Sequence, residues 1–330
     1  MSSAIGDATS REAVHNYSNY IGRKALFVTV CAVAVISLSL IALCMGSANL
    51  TISQVIDQLV HQRGIAWSIR LPRILVALVA GGVLALAGTV MQCVLKNPLA
   101  EPYTLGLSQA SAFGAAFAIV VLGAGSMYSN SKDAVVITNQ YSVTICAFLF
   151  SLLSTCVIIV LARMTRVSPE AIVLSGVAMG AIFSAGLTGI QYFANDVQIA
   201  SIVYWTFGDL GRITWDSLTL IVVVSLPILV FFFYNRWNYN AMDAGAETAN
   251  SLGVNVSRQT MIGMVLSSLL AALVVSLMGI IGFVGLLAPP MVRRGLGSDH
   301  RFVMPGAGLG GARVWRPSAS PAPPPPPPPL

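Results

Sequence analysis

Long stretches of the chain carry no charged side chain at all. None occurs between Lys24 and Asp57, and further uncharged runs cover 74–95, 102–131, 134–162, 171–195, 217–235 and 259–292. A helix crossing a bilayer needs ~20 consecutive apolar residues, whereas a buried helix of a soluble protein rarely stays uncharged so long. The runs predict an all-α, polytopic transmembrane helical bundle. Composition agrees, with 56% hydrophobic and 9% charged residues, against roughly 25% charged in soluble domains. An ordinary water-soluble enzyme is excluded.

The formal net charge is +6, but the basic residues fall singly or in pairs at the ends of apolar runs. They suit lipid headgroups at helix ends rather than nucleic acid, which would need one basic patch. Cys31, Cys44, Cys93, Cys146 and Cys156 all lie in apolar runs without C-x-x-C spacing, so neither a disulfide framework nor a zinc site is legible. The first apolar stretch, 25–45, exceeds the 7–15 residues of a signal-peptide core. A retained first span behind a cytosolic tail at 1–24 is expected.

With the amino terminus inside, alternating spans place Lys96–Glu101 inside, Lys132 outside, Arg163 and Arg166 inside, Arg212 outside and the connector 236–258 inside. The run 259–292 would make one helix about 50 Å long, against a hydrocarbon core of ~30 Å. Gly279, Gly282, Gly285, Pro289 and Pro290 offer break points, so a span ending near Met278 is followed by a shorter one from Phe283 to Leu296. Up to Arg301, Lys and Arg then number 11 inside and 5 outside. Gly176/Gly180/Ser184, Gly81/Ala85 and Gly114/Ala118 repeat at four-residue spacing, which favours close helix packing. Residues 198–207 are too short to cross and suit a partly inserted outer helix.

No Walker-type phosphate loop, H-E-x-x-H or G-x-S-x-G pattern occurs, and G-x-G-x-x-G at 306–311 lacks a preceding strand. His15, His61 and His300 lie in separate connectors. The chain is therefore not expected to be an enzyme, and no cofactor or metal is expected on it. Ion-coupled carriers often keep buried ionisable groups in their spans, which are scarce here, so energy is expected to enter from outside the bilayer. The candidate port is the inner connector, where Asp243 and Glu247 precede a short helix closed by Gly253. On pattern alone this connector is equally a solvated linker. Arg70-Leu-Pro-Arg73 sits outside against the general charge bias, either as helix-end anchors or as a pad for an acidic partner.

A long ordered series of motifs resembles the FecCD-type permease subunits of binding-protein-dependent ABC importers for ferric siderophores, haem and vitamin B12. The series comprises Ile69-Arg-Leu-Pro-Arg73, Gly82–Gly88 with Gln92, Lys96-Asn-Pro-Leu-Ala-Glu-Pro102, Leu105-Gly106 and Leu174–Gly180. It continues with Tyr204-Trp205, Gly245 with Ala249, Leu252-Gly253, Gly282-Phe-Val-Gly-Leu286 and Ser298-Asp-His-Arg301. The resemblance implies a permease domain over 25–312 that moves an iron chelate from a periplasmic binding protein across the bacterial inner membrane, as a homodimer embedded in lipid. It implies a separate cytosolic ABC ATPase subunit that holds the ATP and seats on Asp243, Ala244, Gly245, Glu247, Ala249, Leu252 and Gly253. Arg70 and Arg73 would dock the binding protein. Polar Gln191, Tyr192 and Asn195 are candidates for the path or simply helix-end polarity.

Such permeases have ten spans. About eight are complete here, and the ninth is aborted where the chain passes into a Pro-rich tail at 313–330 with a run from Pro323 to Pro329, which cannot build a span. The abrupt change of composition suggests a shifted reading frame and a truncated copy. A non-transporting remnant and an ion-coupled secondary carrier are the alternatives. Departures from the family pattern include Pro290 in place of a histidine and Ala246 in place of an acidic residue.

Overall fold

The structure, a computed structural model, describes residues 2–44, 51–126, 136–137, 139–165 and 169–315. Residue 312, the expected end of the permease domain, lies within these residues, and the Pro-rich tail beyond 315 with its polyproline run lies outside them. The helices are α1 (Ser2–Cys44), α2 (Ile52–Val60), α3 (Leu71–Val94), α4 (Leu107–Val120), α5 (Gln140–Thr165), α6 (Pro169–Phe193) and α7 (Asp196–Thr206). They continue as α8 (Trp215–Tyr234), α9 (Arg236–Asp243), α10 (Ala246–Ser251), α11 (Val256–Met278), α12 (Val284–Leu296) and α13 (His300–Trp315). A two-residue antiparallel pairing, Gly125–Ser126 with Val136–Ile137, closes the link between α4 and α5.

Among the described residues, six helical stretches are long and apolar enough to cross a membrane: Tyr20–Cys44, Ala66–Val94, Gln140–Met164, Pro169–Phe193, Trp215–Tyr234 and Val256–Met278. The third run and the second half of the seventh fold differently, as the shorter helices α4 and α12, about 21 and 20 Å long. Each follows a strip without α-helix that turns back into the bundle, the first holding a single 3-10 turn at Pro102–Leu105. After α3 ends, the chain passes through 95–106 until Glu101 lies beside Gly285 and the Tyr103 hydroxyl donates to the Ile281 carbonyl at 3.0 Å. After α11 ends, 279–283 descends to the same place, and Phe283, at φ +67°, starts α12. Non-helical backbone is tolerated at such depth only when protein covers it. At the far end of the expected inner loop Lys96–Glu101, Glu101 is 7% exposed and packed against α12.

α3 is the central column, surrounded by α11, α12 and α13. Its crossing with α12 is set by glycine: a Cβ on Gly88 would fall 2.1 Å from the Gly285 carbonyl oxygen. Gly81 meets Gly311 of α13, Gly176 meets the Thr104 carbonyl, and Gly114 meets Cys146, all through backbone. The four-residue spacing of small residues is therefore used at Gly176 and Gly180, while Ser184, on the same row, is exposed. α1, α5, α6 and α8 turn broad apolar faces outward, through Leu40, Leu149, Leu174 and Val223 among others. Lipid suits these faces.

Helix starts are specified locally. Asn195 and Gln198 exchange side-chain and backbone bonds of 2.9 and 3.1 Å at α7, and Asn255 accepts from the Arg258 amide at 2.9 Å at α11.

Candidate functional site

One end of the bundle gathers the carboxyl end of α3, the connector helices α9 and α10, and the start of α13. The connector forms because α9 buries Tyr239 and Met242 against the bundle, while α10 buries Ala249 alone. Gly245 joins them at φ +126°, a backbone conformation that L side chains rarely adopt, so the elbow needs glycine. α10 ends with the Val254 amide bonded to the Ala249 carbonyl at 2.9 Å across Gly253, at φ +83°. The short helix and its glycine stop were legible in the sequence. α9 was not, because its two inward residues are too few to mark a period.

Of the residues singled out in the connector, Ala244, Glu247, Leu252 and Gly253 are exposed, and Leu252 is 68% accessible. Gly245 is half-buried and Ala249 buried. The Asp243 carboxylate faces the protein: its Oδ2 lies 3.0 Å from Nε2 of the fully buried His300. Burial pushes the Asp243 carboxyl up, but the bond and charge of His300 outweigh it and hold the pKa below the ordinary value. Lys96, just past α3, donates to the Met242 carbonyl. Beside the connector opens a cleft of about 1000 Å³ bounded by Lys96, Arg163, Met242, Ala246, Asn255 and Arg258.

Asp299 ties the connector to α13. Its Oδ1 accepts from the Asn240 side chain at 3.1 Å and from the Arg301 amide at 2.9 Å, and its Oδ2 pairs with the Arg301 guanidinium at 2.7 Å. Burial would raise the Asp299 pKa, but the Arg301 and Asn240 bonds overcome it and bring it to about 2. A carboxyl lowered from 3.8 by folding stabilises the fold above about pH 4, and that contribution is lost as pH falls through 2. Asp299→Asn is therefore expected to lower the thermal midpoint of detergent-solubilised protein at neutral pH, by an amount matching the ~1 kcal/mol of a helix cap. The variant's midpoint should fall less than wild type's between pH 4 and pH 2; equal falls would contradict the assignment.

At the opposite end, Arg70 donates to the Leu43 and Cys44 carbonyls at 2.8 and 3.4 Å, closing the carboxyl end of α1. The Arg73 guanidinium lies over Gly211 next to the Asp209 carboxylate, each 2.9 Å from where a Gly211 side chain would begin. Both arginines are half-buried, while Arg63 is exposed and pairs with Asp57 at 3.4 Å. Gln191 is half-buried at the end of α6, Tyr192 is 84% exposed, and Asn195 caps α7. Sequence reasoning missed Glu101 and Gln92. Gln92 Nε2 reaches the Gly285 and Leu286 carbonyls, both at 3.4 Å, and spans the junction of the two breaks.

Two half-length helices behind buried polar breaks, inside a lipid-facing bundle with an exposed helical connector at one end, define a membrane transport permease. Residues 33–315 match the FecCD transport family. An ABC transporter permease protein of Methanocaldococcus jannaschii is 46% identical over 90% of this chain and 86% of its own. The hemin transport system permease protein of Yersinia pestis is 34% identical, and the vitamin B12 import system permease protein of Salmonella paratyphi A 32%, each over 74% of this chain and 71% of its own. A metal-chelate type ABC transporter solved in an inward-facing conformation superimposes with a TM-score of 0.76 and 27% identity, over 87% of both chains. The chain belongs to the FecCD transport family and is a permease subunit of an ABC importer.

Proposed function

We propose that this permease carries a metal chelate, with ferric siderophores the leading class, from a binding protein on the outer face to the cytosol across the bacterial inner membrane. It works as one of two copies, and ATP is held by a separate cytosolic ATPase. The observation that carries this reading is the connector: α10 and the turn that ends it are exposed at Glu247, Leu252 and Gly253, while α9 is tied into α3 and α13. A rigid body docked on α10 would move α9, and with it both helices. The cargo class is supported by similar proteins that carry hemin and vitamin B12, and by the metal-chelate type of the structural relative. The opposite rim, with Arg70 and Arg73 at the start of α3, is the docking face for the binding protein, and Gln191, Tyr192 and Asn195 lie near the mouth of the path.

Reconstitution of the chain with its ATPase and binding protein in proteoliposomes tests this. A ferric siderophore should stimulate ATP hydrolysis and enter the lumen, with hemin and cobalamin as competitors that identify the class. If none of the three stimulates hydrolysis, the reading fails.

A further inference from the structure

Cys93, Asp243 and His300 come from α3, the end of α9 and the start of α13, and no sequence spacing connects them. In the fold their sulfur, carboxylate oxygen and ring nitrogen all lie within 4.8 Å of one another. Cys93 and His300 are 1% and 0% exposed, whereas the Asp243 side chain keeps 26% of its surface open. We propose that these three side chains form a binding site for a thiophilic divalent cation of the zinc class, at the connector end of the bundle.

The donor set carries the choice of ion. One thiolate, one imidazole and one carboxylate match zinc, cobalt(II) or iron(II), and disfavour magnesium and calcium, which take oxygen alone. Zinc bonds are about 2.0–2.3 Å, so ligand atoms in a tetrahedral site stand roughly 3–4 Å apart. His300 Nε2 and Asp243 Oδ2 are already at 3.0 Å, and the sulfur, within 4.8 Å of both, needs a shift of roughly 1–2 Å at most. The open edge of Asp243 gives an entry route and leaves the fourth position to water. Two anionic ligands offset the divalent charge, so Arg293, which acts electrostatically on both Cys93 and Asp243, faces a neutral complex. Lys96 is held by the Met242 carbonyl. The pocket is also under-satisfied: His300 Nδ1, and Arg293 Nε and Nη2 are buried with no hydrogen-bond partner among the described residues. On binding, the Cys93 thiol releases its proton to solvent, an imidazolium at His300 releases the one on Nε2, and a neutral ring binds as its Nδ1–H tautomer with no net release.

A metal here would pin α9 to α3 and α13 at once. That consequence rests on the importer reading above: if the connector transmits ATPase motion, occupancy restrains it, so a metal accumulating in the cytosol slows its own import.

The test uses the full chain in nanodiscs, titrated with cobalt(II) without oxygen. One cobalt per chain should bind with a near-ultraviolet thiolate-to-cobalt charge-transfer band, and stoichiometric zinc should displace it. Cys93→Ser should lose the band, and Asp243→Asn should weaken cobalt binding at least tenfold. No band in the wild-type protein, a band that survives in Cys93→Ser, or unchanged affinity in Asp243→Asn overturns the site. These readouts need no transport, so they stand or fall apart from the importer reading. In the assembled complex, zinc should slow siderophore-stimulated ATP hydrolysis of the wild type several-fold and spare Cys93→Ser; equal rates with and without zinc would overturn the restraint.

Discussion

Gly88→Ala is expected to cost about 3 kcal/mol or more of stability, at or beyond the upper end of ordinary overpacking. The added methyl would sit 2.1 Å from the Gly285 carbonyl oxygen and 2.6 Å from its carbon, so no side chain can rotate out of the way. Relief requires α12 to back away from α3, which pulls the Gly285 and Leu286 carbonyls from Gln92 and opens the strip around Phe283. Thermal unfolding in detergent, read as loss of monodisperse protein, checks this. Gly189→Ala is the control, because nothing lies within 4 Å of that position and alanine favours a helix. Equal midpoints for the two variants would show that α3 and α12 do not cross as described.

Leu252→Asp should leave the chain folded and uncouple it from its ATPase. The side chain is 68% exposed at the end of α10, so its loss removes little internal packing. Covered by a docked subunit, an aspartate there would be a buried, unpaired charge. Truncation at the centre of an interface commonly costs about 2 kcal/mol or more, some thirtyfold in affinity, and the charge adds to that. Siderophore-stimulated ATP hydrolysis in proteoliposomes should fall at least tenfold, with the midpoint of the isolated chain unchanged. Full hydrolysis by the variant would move the ATPase contact elsewhere on the bundle.

Much of this fold is legible in the amino-acid order because hydropathy and breakers report it directly. The uncharged runs locate α1, α3, α5, α6, α8 and α11, and Gly279 and Gly282 announce the break before α12, whereas Gly285, Pro289 and Pro290, read from the sequence as further break points, lie inside α12. Depth is what such runs do not encode. The uncharged stretch from Pro102 onward has the length of a span, yet its first residues form a short turn inside the bundle and only Leu107–Val120 is α-helical before residue 121. Glu101, flanking that stretch, reads as a loop charge for the same reason. The connector was visible through Gly245 and Gly253, but Asp243 looked like a surface acid. Its partner His300 is 57 residues away, and proximity at that separation leaves no periodic trace. Arg70 likewise carries no sign in its motif that it closes α1.

The central position of α3 also has a consequence for biogenesis. Gln92 and the Gly285 carbonyl it bonds are 193 residues apart. At a synthesis rate of 5–20 residues per second, roughly 10 to 40 s pass between their emergence from the ribosome. For most of that interval the helix destined for the middle of the bundle has neither α11, α12 nor α13 to cover it, and a polar amide waits beside a glycine-lined groove. Its nascent form needs shelter from the insertion machinery or from α1, which makes assembly of this permease most vulnerable before its last third has been translated.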